Sequence, residues 1–490
     1  MLTTNPFDDD KLREECGIFG ASGVDGAAAL VALGLHALQH RGQEAAGITS
    51  FDGDHFHTHR AMGLVGETFS QQNEEAIRAL PGSVACGHVR YATTGETALR
   101  NVQPLFAELS EGGFAIAHNG NISNALRLRQ ELVRTGSIFQ STSDTETIIH
   151  LTARSNYDQL LYKFIDALKR VEGAYSLVCV TREGMIACRD PLGIRPLVLG
   201  RRGDAVIVAS ETVALDVAGA EFIREIEPGE LIVVKGTEIE SHRPFPPRAP
   251  RPCIFEYVYF SRPDSRAVSA GRSVYAVRKA IGAQLAMEAP VEADIVIPVP
   301  DSGTPAAIGY AQESGIPFEL GIIRSHYMGR TFIQPTDEIR HEGVRLKHNA
   351  NRDIVAGKRI VLIDDSIVRG TTSHKIVQMM RDAGATEVHM RIASPPTKNP
   401  CFYGVDTPEK AKLLAANKSL EQMTDHIKAD SLAFISMDGL YKALGEAARG
   451  EEPSHCDACF SGEYPTTLTD QRDRETADQL ALLEETEAAE

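Results

Sequence analysis

The sequence predicts two domains, an α+β unit followed by an open α/β unit with a parallel sheet, and three observations carry that prediction. From about residue 16 to 240, short apolar runs are interleaved with helical patterns in no fixed alternation. Residues 243–252, RPFPPRAPRP, then place five prolines in ten positions, and proline continues neither a helix nor a central strand. Beyond that junction the order settles into strand, loop, helix, the pattern of a buried parallel sheet.

In the first half, GAAALVALGLHALQH has helical periodicity, and ACGHVRY, FAIAHNG, YSLVCV, MIACRD and AVIVAS read as strands. In the second half, ADIVIPVP precedes DSGTPAAIGYAQESG, and RIVLIDD precedes SIVRGTTSHKIVQMMRDAGA, which runs into EVHMRIASPP. The C-terminal stretch from Thr469 carries eight acids against two bases and reads as a frayed helix or solvated tail. No internal repeat is evident.

At 490 residues the chain is too long for one ordinary core. Hydrophobic residues at 42% and charged residues at 24% give the balance of a folded, soluble protein. A net charge of −17 argues against a general nucleic-acid binder, which needs a basic face to displace counterions. The leading MLTTNPFDDDKLREE lacks the apolar centre of a secretory signal, and no run is long enough to span a bilayer, so a cytoplasmic location and no membrane partner are expected. Eight cysteines in a chain of this length are no disulfide framework, which leaves packing, metal ligation and catalysis.

RIVLIDDSIVRGTT, residues 359–372, delivers Asp364 and Asp365 at the carboxyl end of a strand, where ligands of open α/β sheets bind. Ser366, Gly370, Thr371 and Thr372 follow and open a helix, whose free N–H groups and hydroxyls suit a phosphate. The paired carboxylates call for a metal, sugar hydroxyls or both. This run resembles the phosphoribosyl pyrophosphate motif of type I phosphoribosyltransferases. The resemblance implies that Asp364 and Asp365 engage the ribose hydroxyls and a magnesium ion while 366–372 hold the 5′-phosphate. It places Ser302, in VPDSGTPAA, beside the metal and pyrophosphate, and it makes Arg330 and Lys347, in the long charged segment 324–349, candidates for shielding the pyrophosphate. Magnesium's preference for oxygen ligands and retained waters fits such an open site.

The first half carries, in order, CGIFG, LQHRGQEAAGI, HVRYATTG, HNGNISN and STSDTE. Together these resemble the glutaminase domain of N-terminal-nucleophile amidotransferases, an αββα sandwich. With the second half they resemble the glutamine phosphoribosylpyrophosphate amidotransferase family over nearly the whole chain. The resemblance implies that Cys16 is the nucleophile, that Asn119 and the N–H of Gly120 form the oxyanion hole, and that Arg90 and Asp144 receive the glutamine α-carboxylate and α-ammonium. A thiol attacking an amide must lose its proton, and an α-amino group with an ordinary pKa of about 7.7 to 8.0 is a base attached to the same residue. Residues 1–15 are therefore expected to be a propeptide, cleaved between Glu15 and Cys16. The domains so implied are a glutaminase at 16–242, the junction 243–252, a phosphoribosyltransferase with a cysteine cluster at 253–465, and an acidic tail at 466–490. Ammonia released from glutamine would displace pyrophosphate from phosphoribosyl pyrophosphate to give 5-phosphoribosylamine, the first committed step of purine synthesis.

Cys253, Cys401, Cys456 and Cys459, the last two in HCDAC, have the count for a tetrahedral zinc ion or an iron–sulfur cluster, and spacing alone does not choose. One subgroup of the family combines a propeptide with a 4Fe-4S cluster, and the resemblance to it favours the cluster. Cys86, Cys179 and Cys188 lie on strand-like runs and read as core. The family resemblance further implies inhibition by purine nucleotides and a homotetramer. A glutamine-dependent synthase making glucosamine phosphate would share the first half but not VLIDDSIVRGTT. A non-catalytic regulator would have no use for the set Cys16, Arg90, Asn119 and Asp144.

Overall fold

The computed structural model describes residues 13–14, 16–69, 74–91, 98–268, 270–324 and 348–472. A two-residue strand, β1 (Arg13–Glu14), precedes β2 (Cys16–Ser22), the apolar run CGIFGAS, in which every residue is buried. Both faces of β2 are covered, so its alternating side chains serve two cores. Phe19 and Ala21 pack beneath helix α1 (Ala27–Ala37), while Ile18 points into the space between two sheets.

The remaining strands of the first half are β3 (Ala45–Phe51), β4 (Phe56–Met62), β5 (Val84–Arg90), β6 (Leu105–Leu109), β7 (Gly112–Ile122), β8 (Gly173–Thr181), β9 (Gly184–Arg189), β10 (Val198–Arg202), β11 (Ala205–Ala209), β12 (Glu221–Glu225), β13 (Leu231–Lys235) and β14 (Glu238–His242). They form a sheet of order β12-β10-β11-β2-β5-β3-β4 and a second of order β14-β13-β9-β8-β7-β6. Ile18, Val84, Ala115, Val178 and Val206 interdigitate between the two. Helix α1 and helix 212–217 cover the outer face of one sheet, and helices 145–154 and 160–168 that of the other. The result is the four-layered αββα sandwich that the motifs imply.

After the prolines, strands 295–298, 359–364, 387–392 and 431–434 form a sheet that is parallel throughout, in that spatial order. The alternation of RIVLID explains how it is covered. Val361 and Ile363 pack toward helices 274–288 and 304–314, and Ile360 and Leu362 toward helices 371–382 and 420–427. The first of these cores does not stop at the junction: Ala174, Leu192 and Ile194 of the sandwich join it, along with 253–260. The junction itself is strapped down, with Arg251 N donating to Leu192 O at 2.7 Å and Cys253 N to Ile194 O at 3.1 Å.

The acidic tail begins with an anchored turn rather than a solvated one. Thr469 donates from N and Oγ1 to the Glu172 carboxylate, both at 2.9 Å, and Asp470 accepts from the N–H groups of Leu126 and Arg127 at 2.8 and 3.0 Å. A carboxylate there satisfies the orphan donors at the start of helix 125–134. Residues 473–490 lie outside the described residues.

Candidate active sites

Cys16 is the first residue of β2, and in the antiparallel β2–β5 ladder it lies opposite Arg90, the last residue of β5. Both are buried. Asn119 and Gly120 lie in β7 of the facing sheet, opposite Ser176 and Tyr175. Ser210, just past the end of β11, links the two sheets: its Oγ accepts from Ile18 N at 3.0 Å and from Asn119 Nδ2 at 3.4 Å. The second contact is long for a hydrogen bond, so the Asn119 amide is held in place but is not committed to a strong acceptor.

Asp144 sits immediately before helix 145–154 and accepts from Ile122 N at 2.9 Å, two residues past Gly120. Burial would raise its carboxyl, but His118, at 3.7 Å, and the N–H groups of Ile122 and Thr145 outweigh that and hold it below the usual carboxylate range. An ionised carboxylate fixed in this way can receive an ammonium group.

Behind Cys16 lies a charge network that motif reading does not reveal. Arg41, fully buried, donates from Nε to Cys16 O at 3.2 Å. Its terminal nitrogens reach Glu211 at 2.5 Å and Glu256 at 2.8 Å. Glu256 also accepts from Arg195 at 2.7 Å and Ser261 Oγ at 2.7 Å. Glu211 accepts from His40 at 2.6 Å, Ser265 Oγ at 2.6 Å and Arg262 N at 2.9 Å. Despite burial, His40 and Arg41 hold the Glu211 carboxyl far below its ordinary value. Within LQHRGQEAAGI the sequence shows the two bases, His40 and Arg41, but the carboxylate partners of Arg41 are 170 and 215 residues away.

The second site forms at the carboxyl edge of the parallel sheet. Strands 295–298 and 359–364 are neighbours, so the loop after one meets the acids ending the other. Ser302 Oγ donates to Asp365 Oδ1 at 2.5 Å, Ser366 Oγ to Asp365 Oδ2 at 2.6 Å, and Asp365 N to Asp364 Oδ1 at 3.0 Å. Gly370, with φ of 82°, caps helix 371–382, which starts with Thr371 and Thr372. Arg278, buried nearby, has its pKa lowered to about 10 by burial, with Asp365 opposing the shift. The structure thus brings Ser302, Asp364, Asp365, Ser366, Gly370, Thr371 and Thr372 to one edge. Arg330 and Lys347 lie outside the described residues.

The four cysteines of the second half also converge. Cys253 and Cys456 form a parallel bridge, and Ile254 N donates to Cys456 O at 3.1 Å. Lys398 N and Asn399 N both donate to Cys459 O at 3.0 Å, and Tyr403 N donates to Cys401 Sγ at 3.3 Å. Burial pushes all four thiols up, Cys401 to about 12, and every pair of them interacts electrostatically. None is in a disulfide. Among the described residues, no three His, Cys, Asp or Glu side chains close around a single metal ion. Cys86, Cys179 and Cys188 are core residues of β5, β8 and β9.

The two halves of the chain also approach closely beside Gly120. Asn121 Nδ2 donates to Phe402 O at 2.9 Å. Gly404, at φ of 110°, lies so near Gly120 that a Cβ on it would stand 3.0 Å from the Gly120 Cα.

Comparison with known proteins agrees with this division. The glutamine amidotransferase domain matches residues 88–217 and the phosphoribosyl transferase domain residues 267–395. The fold and sites therefore define a glutamine amidotransferase fused to a phosphoribosyltransferase. The amidophosphoribosyltransferase of Rhizobium etli is 57% identical over 488 residues, spanning 98% of both chains, and that of Bacillus subtilis 49% identical over 459 residues, spanning 93% of this chain and 95% of its own. The solved glutamine phosphoribosylpyrophosphate amidotransferase of Bacillus subtilis, complexed with ADP and GMP, superposes with a TM-score of 0.87 at 48% identity, covering 92% of this chain and 98% of that one. The chain belongs to the amidophosphoribosyltransferase family.

Proposed function

We propose that Cys16, once freed from residues 1–15, attacks the side-chain amide of glutamine, and that the ammonia released is used at the parallel-sheet edge to displace pyrophosphate from phosphoribosyl pyrophosphate. The observation that carries this reading is Ser210, which ties the Cys16 strand to the Asn119 amide across the two sheets. The α-amino group of Cys16 takes the thiol proton, Asn119 Nδ2 and Gly120 N–H meet the developing oxyanion, and a thioester forms as ammonia leaves. Water then releases glutamate. Arg90 and Asp144 hold the two ends of the amino acid, a guanidinium for the carboxylate and a carboxylate for the ammonium.

At the second site, Ser366 to Thr372 hold the 5′-phosphate at a helix N-terminus. The donor set of Asp364, Asp365 and Ser302 is all oxygen, which fits magnesium, and magnesium when bound would neutralise charge on the pyrophosphate. Arg330 and Lys347 would shield the pyrophosphate. Ammonia protonates in water and then no longer attacks, which favours a sealed passage between the sites.

Cys253, Cys401, Cys456 and Cys459 would hold a 4Fe-4S cluster. Four free cysteines brought near one another suit iron–sulfur ligation, and the resemblance to the propeptide-bearing subgroup is what favours a cluster over zinc. When bound, the cluster would tie 456–459 to 253 and 401. Purine nucleotides are proposed inhibitors, supported by the ADP and GMP in the Bacillus subtilis relative. A homotetramer in the cytoplasm completes the reading; no described helix is long and apolar enough to cross a membrane.

The test is glutamate release by anaerobically purified protein, with and without phosphoribosyl pyrophosphate and magnesium, alongside the intact mass. Stimulated release, loss of residues 1–15 and an inactive Cys16→Ala variant support the reading. No release from processed protein with its iron intact would falsify it.

A further inference from the structure

The chain changes sheets between Glu14 and Cys16. β2 pairs with β5 and β11 inside the sandwich. β1 lies outside it and pairs antiparallel with Val405–Asp406 of the second half, Arg13 opposite Asp406 and Glu14 opposite Val405. That partner segment is anchored through the three residues that precede it. Phe402 O accepts from Asn121, Gly404 abuts Gly120, and the buried Tyr403 exchanges a hydrogen bond with Thr466 Oγ1 at 2.9 Å. An edge of backbone, fixed against the part of β7 that carries Gly120, is thus presented to the two residues that lead into the Cys16 strand.

We propose that Val405–Asp406 is the docking strand for the leader. It captures Arg13–Glu14 by strand addition, in which main-chain hydrogen bonds supply the recognition, and so holds the Glu15–Cys16 bond in place for hydrolysis. In that step water adds across the bond: the Glu15 carbonyl becomes a carboxylate and the Cys16 nitrogen a free amine. The inference rests on the reading that residues 1–15 are removed. Backbone capture makes processing indifferent to the side chains at 13 and 14 but sensitive to loss of their N–H groups. It also makes the second half a participant in maturation of the first.

Leader substitutions are a clean probe because they are absent from the mature enzyme. Intact-mass time courses of the full chain are compared for the parent, Arg13→Ala, Glu14→Ala, the double variant Arg13→Pro with Glu14→Pro, and Asp406→Pro. The alanine variants are expected to process within about twofold of the parent, and the proline variants about tenfold slower, the equivalent of one backbone hydrogen bond lost. A chain that starts at Cys16 after removal of an initiator Met, and carries Asp406→Pro, is expected to release glutamate, showing that the fold survives. Parental processing rates in the leader prolines overturn the proposal, as does a parental rate in Asp406→Pro, which would assign the leader effect to proline beside the scissile bond. A parent chain that keeps residues 1–15 and still releases glutamate instead overturns the underlying reading of the leader.

Discussion

Arg41 holds the carbonyl oxygen of Cys16 at 3.2 Å while two carboxylates, one from each half of the chain, hold Arg41. Glu211 follows β11 of the sandwich, and Glu256 lies beyond the proline junction. The position of the Cys16 backbone is therefore set by both halves. Replacing Arg41 with Met leaves Glu211 and Glu256 buried with one cation fewer, and breaking a buried pair from one side costs about 3–5 kcal/mol. A large drop in melting temperature, with glutaminase activity falling together with it, is the expected result; an unchanged melting temperature would contradict the network.

Asn119→Ala removes the donor proposed for the oxyanion. Glutaminase kcat is expected to fall by about 10² to 10³ with little change in KM. Steady-state kinetics check this, and a loss confined to KM would assign Asn119 to substrate binding.

Gly404→Ala tests the close approach of the two halves. Its Cβ would press on the Gly120 Cα at 3.0 Å, from a backbone conformation that side chains rarely adopt. Glutamate release is expected to fall although residue 404 belongs to the second half. Unchanged release would show that β7 yields at Gly120 without cost.

Asp365→Asn weakens the hydroxyl bonds from Ser302 and Ser366 and removes charge from the sheet edge. Hydrogen bonds to a charged group contribute about 1.5–3 kcal/mol, so phosphoribosyl transfer from added ammonia is expected to fall about 10- to 100-fold. Basal glutaminase activity measured without phosphoribosyl pyrophosphate should hold. A parallel loss of both activities would count against separate sites.

Glu146 supplies a pH signature. Its carboxylate accepts from Gln140 N, Ser141 N and Ser141 Oγ, at 2.8, 2.7 and 2.6 Å. Burial would raise its pKa, but His150 and these donors bring it to about 2 from an ordinary 4.5. A depressed carboxylate stabilises the fold fully above its unfolded value and loses that contribution as pH falls from there toward the folded value. The gap in melting temperature between the parent and Glu146→Gln should therefore narrow as pH drops from about 4.5 toward about 2. A constant gap would remove Glu146 from the acid response.

How much of this was legible depended on whether the chemistry lay within one contiguous run. Cys16, Asp364 and Asp365 sit in short motifs at strand ends, where a local pattern and the proposed chemical role coincide. Glu211, Glu256 and Ser210 carry no such pattern, because each acts on a residue 91 to 215 positions away. Gly404 was illegible for another reason: its role is the absence of a side chain at a contact that only the assembled fold creates. The anchored turn at Thr469 and Asp470 escaped notice because the acidic stretch around it reads as solvated.

The core shared by Leu192, Ile194 and residues 253–260 bears on modularity. A cut at the prolines, the natural place to part the chain, would strip Leu192 and Ile194 of their packing and take from Arg41 one of its two carboxylates. Recombining this glutaminase with a different acceptor domain would therefore require transplanting 253–260 and 401–406 as well. What can be exchanged is the sandwich together with its foreign lining, a boundary drawn through space and not along the sequence.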